Sequence, residues 1–183
     1  MNCVKRCDLL TCEESEVISK TVLDLEGYVK CVGDDRYKGT ADDSLTGRYH
    51  CFNFLSNEVI GSILKPKLRE LFGRPVVVQC WANTFRKGEG IVEHEHAVSE
   101  DENFFGSANI FLHGDPTIGT YYEGVKSVNK IGEFVIFPVT MKHSVPPNPT
   151  DNIRVSMAFD FYVGHDEFMS KMVATDPRRF IIV

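Results

Sequence analysis

Along the first half of the chain, apolar positions recur at three- and four-residue steps. Val17, Ile18, Val22 and Leu25 fall on one helical face, and Thr11 followed by Glu14 makes a capping-box pattern ahead of them. This predicts a first helix over about 12–27. Val59, Ile60, Ile63, Leu64, Leu68 and Leu71 repeat the spacing and predict a second over about 57–72. Pro66 is expected to kink or split that helix, because it removes a backbone donor and crowds the preceding turn. Between the two lies "CVGDDRYKGTADDSLTGRYH", residues 31–50, polar and rich in glycine, which reads as a loop or irregular hairpin.

From residue 75 the pattern changes to short β-rich runs. "PVVVQCWANTF", "IVEHEH", "SANIFLH", "GTYYEG", "EFVIFP" and "IRVSMAFDFYV" are separated by Gly, Pro and Asn signals. Helices first and many short strands afterwards predict an α+β chain, its β half a sandwich or barrel such as a double-stranded jelly roll. The expectation is a single domain over 1–183: a helical part to about 74 that buttresses the core, the core itself over about 75–163, and a tail over 164–183. That segment reads as one short helix followed by a terminal strand or an unstructured tail. No internal repeat is visible.

Composition narrows this picture. At 183 residues, 43% hydrophobic and 25% charged, the chain has the make-up of an ordinary globular protein with a sizeable core. A net charge of −6 argues against a broad nucleic-acid footprint. No apolar run approaches the roughly 20 residues of a membrane helix, and no apolar segment of the signal-peptide kind precedes the acidic residues near the start. Cys3, Cys7, Cys12, Cys31, Cys51 and Cys80 show no C-x-x-C spacing and read as reduced thiols in a cytoplasmic protein, with a zinc clip from the first three as the sharper alternative.

The candidate chemistry begins at "KGEGIVEHEHAV", residues 87–98. On a strand, residues two apart point the same way, so His94 and His96 project side by side with Val92, while Ile91, Glu93 and Glu95 face away. Two adjacent imidazoles are a metal-site geometry, or simply a pair of surface histidines. Downstream, His143 opens a β stretch after the strand ending at Phe137–Pro138. In the strand 153–162, Arg154, Ser156, Ala158 and Asp160 share one face, opposite a continuous apolar row. A buried arginine needs a partner. Arg154 with Ser156 suits a bound carboxylate, and a salt bridge across the barrel is the plainer reading.

Taken together, "WANTFRKGEG", the histidine pair, "SANIFLHGDPTIGTYY", a histidine after a "G-x-F-x-x-F-P" strand, and "R-x-S" on the next strand resemble the iron(II)- and 2-oxoglutarate-dependent dioxygenases, in their hydroxylase branch. The resemblance covers about residues 75–163. It implies a double-stranded β-helix with iron at the mouth of the barrel. It matches His94 and His143 to the two histidine ligands, and Arg154 with Ser156 to the pair that grips the distal carboxylate of 2-oxoglutarate.

The usual motif of that family is His-x-Asp/Glu, and here position 96 is histidine. Three arrangements fit. His96 is itself the third ligand, as same-face placement favours; or Asp101 or Glu102 from the following loop swings in; or a water takes the place. The resemblance implies Fe(2+), 2-oxoglutarate and O2, with succinate and CO2 released as a C–H bond is hydroxylated. Trp81, Phe85, Phe111 and Phe137 are expected as apolar walls. Among Asn83, Asn109, Tyr121 and Tyr122, Asn109 and Tyr121 are the favoured hydrogen-bonding partners of the cosubstrate or substrate. His50, His113 and His165 read as ordinary solvent-accessible side chains. The substrate class stays open between a small molecule and a protein side chain, selected by a rim from 31–50 and 97–105, and the oligomeric state is not legible. Two other readings remain: a jelly-roll metal- or ligand-binding protein without turnover, and a three-histidine cupin-type dioxygenase that does not use 2-oxoglutarate.

Overall fold

The computed structural model describes residues 4–32, 52–97 and 103–183. Helix α1, Cys12–Val32, opens with the anticipated capping box: the Glu14 backbone donates to Thr11 Oγ1 at 3.2 Å, and the Thr11 backbone donates to Glu14 Oε2 at 2.9 Å. It runs past Gly27 because Val29, fully buried, carries the apolar face of Ile18 and Val22 one turn further. Helix α2, Glu58–Phe72, starts where the Asn57 side chain accepts from the Ile60 backbone. It ends at Gly73, whose left-handed φ of 62° closes the last turn onto Arg69. Pro66 does not split it. Pro66 and Ser62, whose carbonyl loses its helical donor, both lie on the exposed side, while buried Ile60, Leu64 and Leu68 hold the opposite face.

The β half is a double-stranded β-helix. Strands β2 (Val77–Phe85), β4 (Phe104–His113), β7 (Glu133–Phe137) and β9 (Arg154–Tyr162) form the larger sheet in the order β7-β4-β9-β2. Strands β3 (Ile91–His94), β5 (Thr120–Tyr122), β6 (Val125–Ser127) and β8 (His143–Val145) form the smaller sheet, ordered β3-β8-β5-β6. The chain thus passes back and forth between two antiparallel sheets, which is the jelly-roll winding expected from the sequence. Strand β1, Lys5–Asp8, extends the larger sheet beside β7. Strand β10, Ile181–Ile182, extends it beside β2 after helix α3, Asp166–Thr175.

Alternation along β2, β4 and β9 gives the larger sheet two unlike faces. Val78, Cys80, Ile110, Leu112, Val155, Met157, Phe159 and Phe161 point outward and pack with Ile18, Val22, Ile60, Leu64 and Leu68 of the two helices in one apolar cluster. The inward face carries Trp81, Asn83, Ser107, Asn109, Arg154, Ser156 and Asp160, set opposite one another by the strand register. Helices on one side therefore leave the other free for chemistry. Where the chain enters β3, Gly90 lies so close to β8 that a Cβ there would come within 2.6 Å of the Val145 carbonyl oxygen, which fixes glycine in the turn before the histidines.

Phe159 is completely buried between α-helices and sheet, edge-on to Phe134. Phe159→Ala is expected to cost about 3–5 kcal/mol of unfolding free energy, read as a lowered urea midpoint. A change under about 1 kcal/mol would mean that the helices are not a structural part of the core.

Candidate metal and carboxylate site

Strand β3 pairs with β8 so that His94 stands opposite His143, and an irregularity between Ile91 and His94 interrupts simple alternation. Val92 is consequently 62% exposed on the outer side rather than sharing a face with His94. The strand ends at His94. Beyond it the chain is held by the backbone N–H groups of His96 and Ala97, which both donate to the Val139 carbonyl at 2.9 and 3.2 Å. This turn, not strand parity, brings His96 beside His94, and it also leaves Glu95 lining the cavity instead of pointing away.

The rings of His94, His96 and His143 lie 4.2 to 5.5 Å apart, centroid to centroid, and each offers a nitrogen within 4.8 Å of the other two. Each ring is tied through its other nitrogen. His94 Nδ1 lies 2.9 Å from the Val92 carbonyl, and His143 Nδ1 lies 3.0 Å from the Met141 carbonyl. His96 Nδ1 lies 2.6 Å from Asp160 Oδ1 and 2.8 Å from Ser107 Oγ, and the Ser107 hydroxyl donates to the same Asp160 oxygen at 2.7 Å. Carbonyl and carboxylate oxygens only accept, so Nδ1 carries the hydrogen in all three rings and Nε2 is the atom not engaged in these bonds. That is how metal-binding histidines are oriented.

Protonation agrees with the geometry. Burial, followed by the neighbouring His96 and His94, pushes His143 down to about 3. Burial likewise lowers His94, against the hydrogen bond to the Val92 carbonyl. Both rings stay neutral near pH 7, the form that binds a cation.

Along β9, Arg154 is 3% exposed. Its guanidinium donates to Ser156 Oγ at 2.9 Å and to Thr120 Oγ1 at 3.4 Å, and packs over the rings of Phe85 and Phe111, each 5.5 Å away. Its Nε has no partner, and no carboxylate among the described residues pairs with it. Among the described residues there is no salt bridge from Arg154 across the barrel. Burial pushes Arg154 down to about 10, which still leaves it cationic at neutral pH.

Arg154 and the three histidines line one cavity of about 280 Å³, together with Asn83, Asn109, Thr120, Ser156, Trp81 and Phe137. Phe85 and Phe111 sit behind Arg154 rather than on the open wall. Asn109 donates to the Tyr122 hydroxyl at 2.7 Å. Tyr121 lies on the other side of β5, beside Val92 and Pro146 in an outer groove, because Thr120 and Tyr122 take the inward positions of this short strand. Tyr122, buried and pushed up to about 12 mainly by that burial, is the inward tyrosine. Thr120, Ser107 and Asp160 were not singled out for a role from sequence; Asp160 shares the parity of Arg154 and Ser156, which is the signal that marks it.

Asp101, Glu102, His50 and most of the rim segment 31–50 lie outside the described residues. His165 caps α3, accepting from the Phe168 backbone, and His113 is exposed at the end of β4. Cys7 is half-buried in β1 and Cys12 exposed, while Cys3 lies outside the described residues. The cluster among the described residues that could hold a metal ion is the histidine trio. Also among those residues, no helix is long and apolar enough to cross a membrane.

The fold has counterparts of known structure. A prolyl-4-hydroxylase from Pseudomonas putida superposes with a TM-score of 0.61 at 14% identity, over 90% of this chain and 95% of the other. A viral collagen prolyl hydroxylase from Paramecium bursaria Chlorella virus-1, in complex with 2-oxoglutarate, gives 0.61 at 12% identity over 88% and 96%. The non-heme alpha-ketoglutarate-dependent carbocyclase SnoK from nogalamycin biosynthesis gives 0.62 at 12% identity over 98% and 91%. The chain has the fold of these oxygenases. No protein-family model and no curated protein sequence matches it.

Because His143 is held well below its ordinary value of 6.5, the folded protein resists protonation that the unfolded chain accepts. The stability due to a neutral His143 is fully present above pH 6.5 and is lost as pH falls toward about 3. The thermal midpoint of the metal-free protein should therefore drop on acidification below pH 6.5, and His143→Gln should flatten that slope. An unchanged slope in the variant would contradict the assignment.

Proposed function

We propose that this protein is an iron(II)- and 2-oxoglutarate-dependent oxygenase that hydroxylates an unactivated C–H bond. The observation that carries the proposal is the buried guanidinium of Arg154, with no carboxylate among the described residues beside it, in the same cavity as three convergent imidazoles. An uncompensated charge inside a protein is costly, and a carboxylate arriving with a ligand removes that cost. Ser156 and Thr120 add hydroxyls around the same point. The metal fits as well, since three pre-oriented imidazoles on one side leave positions open on the other.

In this reading His94, His96 and His143 hold iron, and Arg154, Ser156 and Thr120 hold the distal carboxylate of 2-oxoglutarate. Iron(II) there supplies dioxygen chemistry in which 2-oxoglutarate is split to succinate and CO2 while one oxygen atom enters the substrate C–H bond. Trp81 and Phe137 exclude water from the cavity, and Asn109, oriented by Tyr122, offers its remaining amide groups to what binds there. Arg154 and Tyr162 stand at opposite ends of β9, about 26 Å apart at the usual strand rise. The end with Glu95, Phe104, Tyr162 and Arg179 is therefore where substrate enters.

The all-histidine set is the one feature favouring a second reading, an oxygenase of the three-histidine kind that needs no keto acid. Incubation with iron(II), ascorbate and 2-oxoglutarate distinguishes them. The proposal predicts succinate formation, while oxygen uptake independent of 2-oxoglutarate favours the second reading. In calorimetry on the manganese-loaded protein, Arg154→Ala should weaken 2-oxoglutarate by about 2–5 kcal/mol, roughly 30-fold or more. Equal affinity in the variant, or no binding to the parent protein, contradicts the proposal.

A further inference from the structure

We propose that Asp160 supplies, from behind His96, the negative charge that the metal lacks because position 96 is not a carboxylate. The inference rests on the metal-binding reading above and deepens it. Three neutral imidazoles leave a divalent ion with its whole charge, whereas a site with one carboxylate ligand halves it. Asp160 stands 2.6 Å from His96 Nδ1, so its charge reaches the metal through one imidazole ring. The carboxylate has moved from the ligand to the ligand's partner.

Several observations point to a role beyond filling space. Asp160 is 7% exposed, on the inward face of β9. Its register neighbours on the two flanking strands are Gln79 and Ser107, neither of them charged. No lysine or arginine among the described residues pairs with it; its partners are the N–H of His96 and the hydroxyl of Ser107. A buried carboxylate with no cationic side chain is poorly placed, unless the cation it serves is the one on the far side of the imidazole. His94 and His143 are tied to neutral backbone carbonyls instead, so the pairing is particular to the ring that occupies the departing position. Ser107 completes it, since its hydroxyl donates to Oδ1 and fixes the carboxylate edge that faces His96. Asp160 is thus a positioning residue, orienting His96 and strengthening it as a donor.

A cycle of variants tests this with cobalt(II) as the probe, its affinity measured by calorimetry on the full chain. Asp160→Asn keeps the size and an accepting oxygen for His96 but removes the charge, and it should weaken cobalt(II) by about 10- to 100-fold. In a His96→Asp background, where the ligand itself brings the charge, the same change should leave affinity within about twofold or tighten it. Asp160→Glu, which keeps the charge, should retain most of the parent affinity. With iron bound, Asp160→Asn should also raise the iron(III)/iron(II) potential, because the lost negative charge had favoured the ferric state. The melting temperature of each metal-free variant reports folding. Equal loss in both backgrounds would make Asp160 a merely structural residue and overturn the inference, as would unchanged affinity in the parent background. Either result leaves 2-oxoglutarate-dependent succinate formation untouched. A parent protein that does not take up cobalt(II) overturns the inference and the metal site together.

Discussion

A guanidinium enclosed by protein, with no carboxylate among the described residues beside it, is the constraint on which this structure turns. Removing Arg154 from water carries a large desolvation cost. Two hydroxyls and the faces of two phenylalanines offset only part of it. The position is tolerable because β9 is rigidly held. It is the central strand between β4 and β2, and its outer face of Val155, Met157, Phe159 and Phe161 is locked against α1 and α2. The apolar half of one strand stabilises what its polar half exposes to the cavity.

The same strand links the two parts of the site. Arg154 and Ser156 near its start line one end of the cavity, and Asp160 near its end reaches His96. Period-two alternation places all three on one side, so a register shift of one residue would turn the guanidinium into the helix-packed core and unfasten the histidine. The histidines come from the smaller sheet, His143 from β8 and His94 from its partner β3. The histidine cluster and the pocket around Arg154 therefore form only when the two sheets close on each other.

What the sequence disclosed follows from what a local pattern can encode. The helical periods, the Thr11–Glu14 cap and the alternation of β9 are contacts between near neighbours, and they were readable. Gly27 and Pro66 showed that tertiary packing overrides local breakers, since Val29 and Leu68 are buried whatever precedes them. Parity misplaced Val92 and Glu95 because an irregular pairing and an early strand end cannot be seen without the partner strand. Tyr121 and Tyr122 were interchangeable in a three-residue strand until β8 fixed which one faces inward. The bond between His96 and Asp160 spans 64 positions, and no spacing rule marks it.

The central claim is that three imidazole nitrogens meet on one metal while Arg154 receives a carboxylate across the cavity. A crystal structure grown with manganese(II) and 2-oxoglutarate measures both at once. The account predicts one anomalous peak bonded to the Nε2 atoms of His94, His96 and His143, with the keto acid's far carboxylate on Arg154 and Ser156. A metal bound elsewhere, one of the three rings turned away from it, or a keto acid that leaves Arg154 unpaired would contradict it.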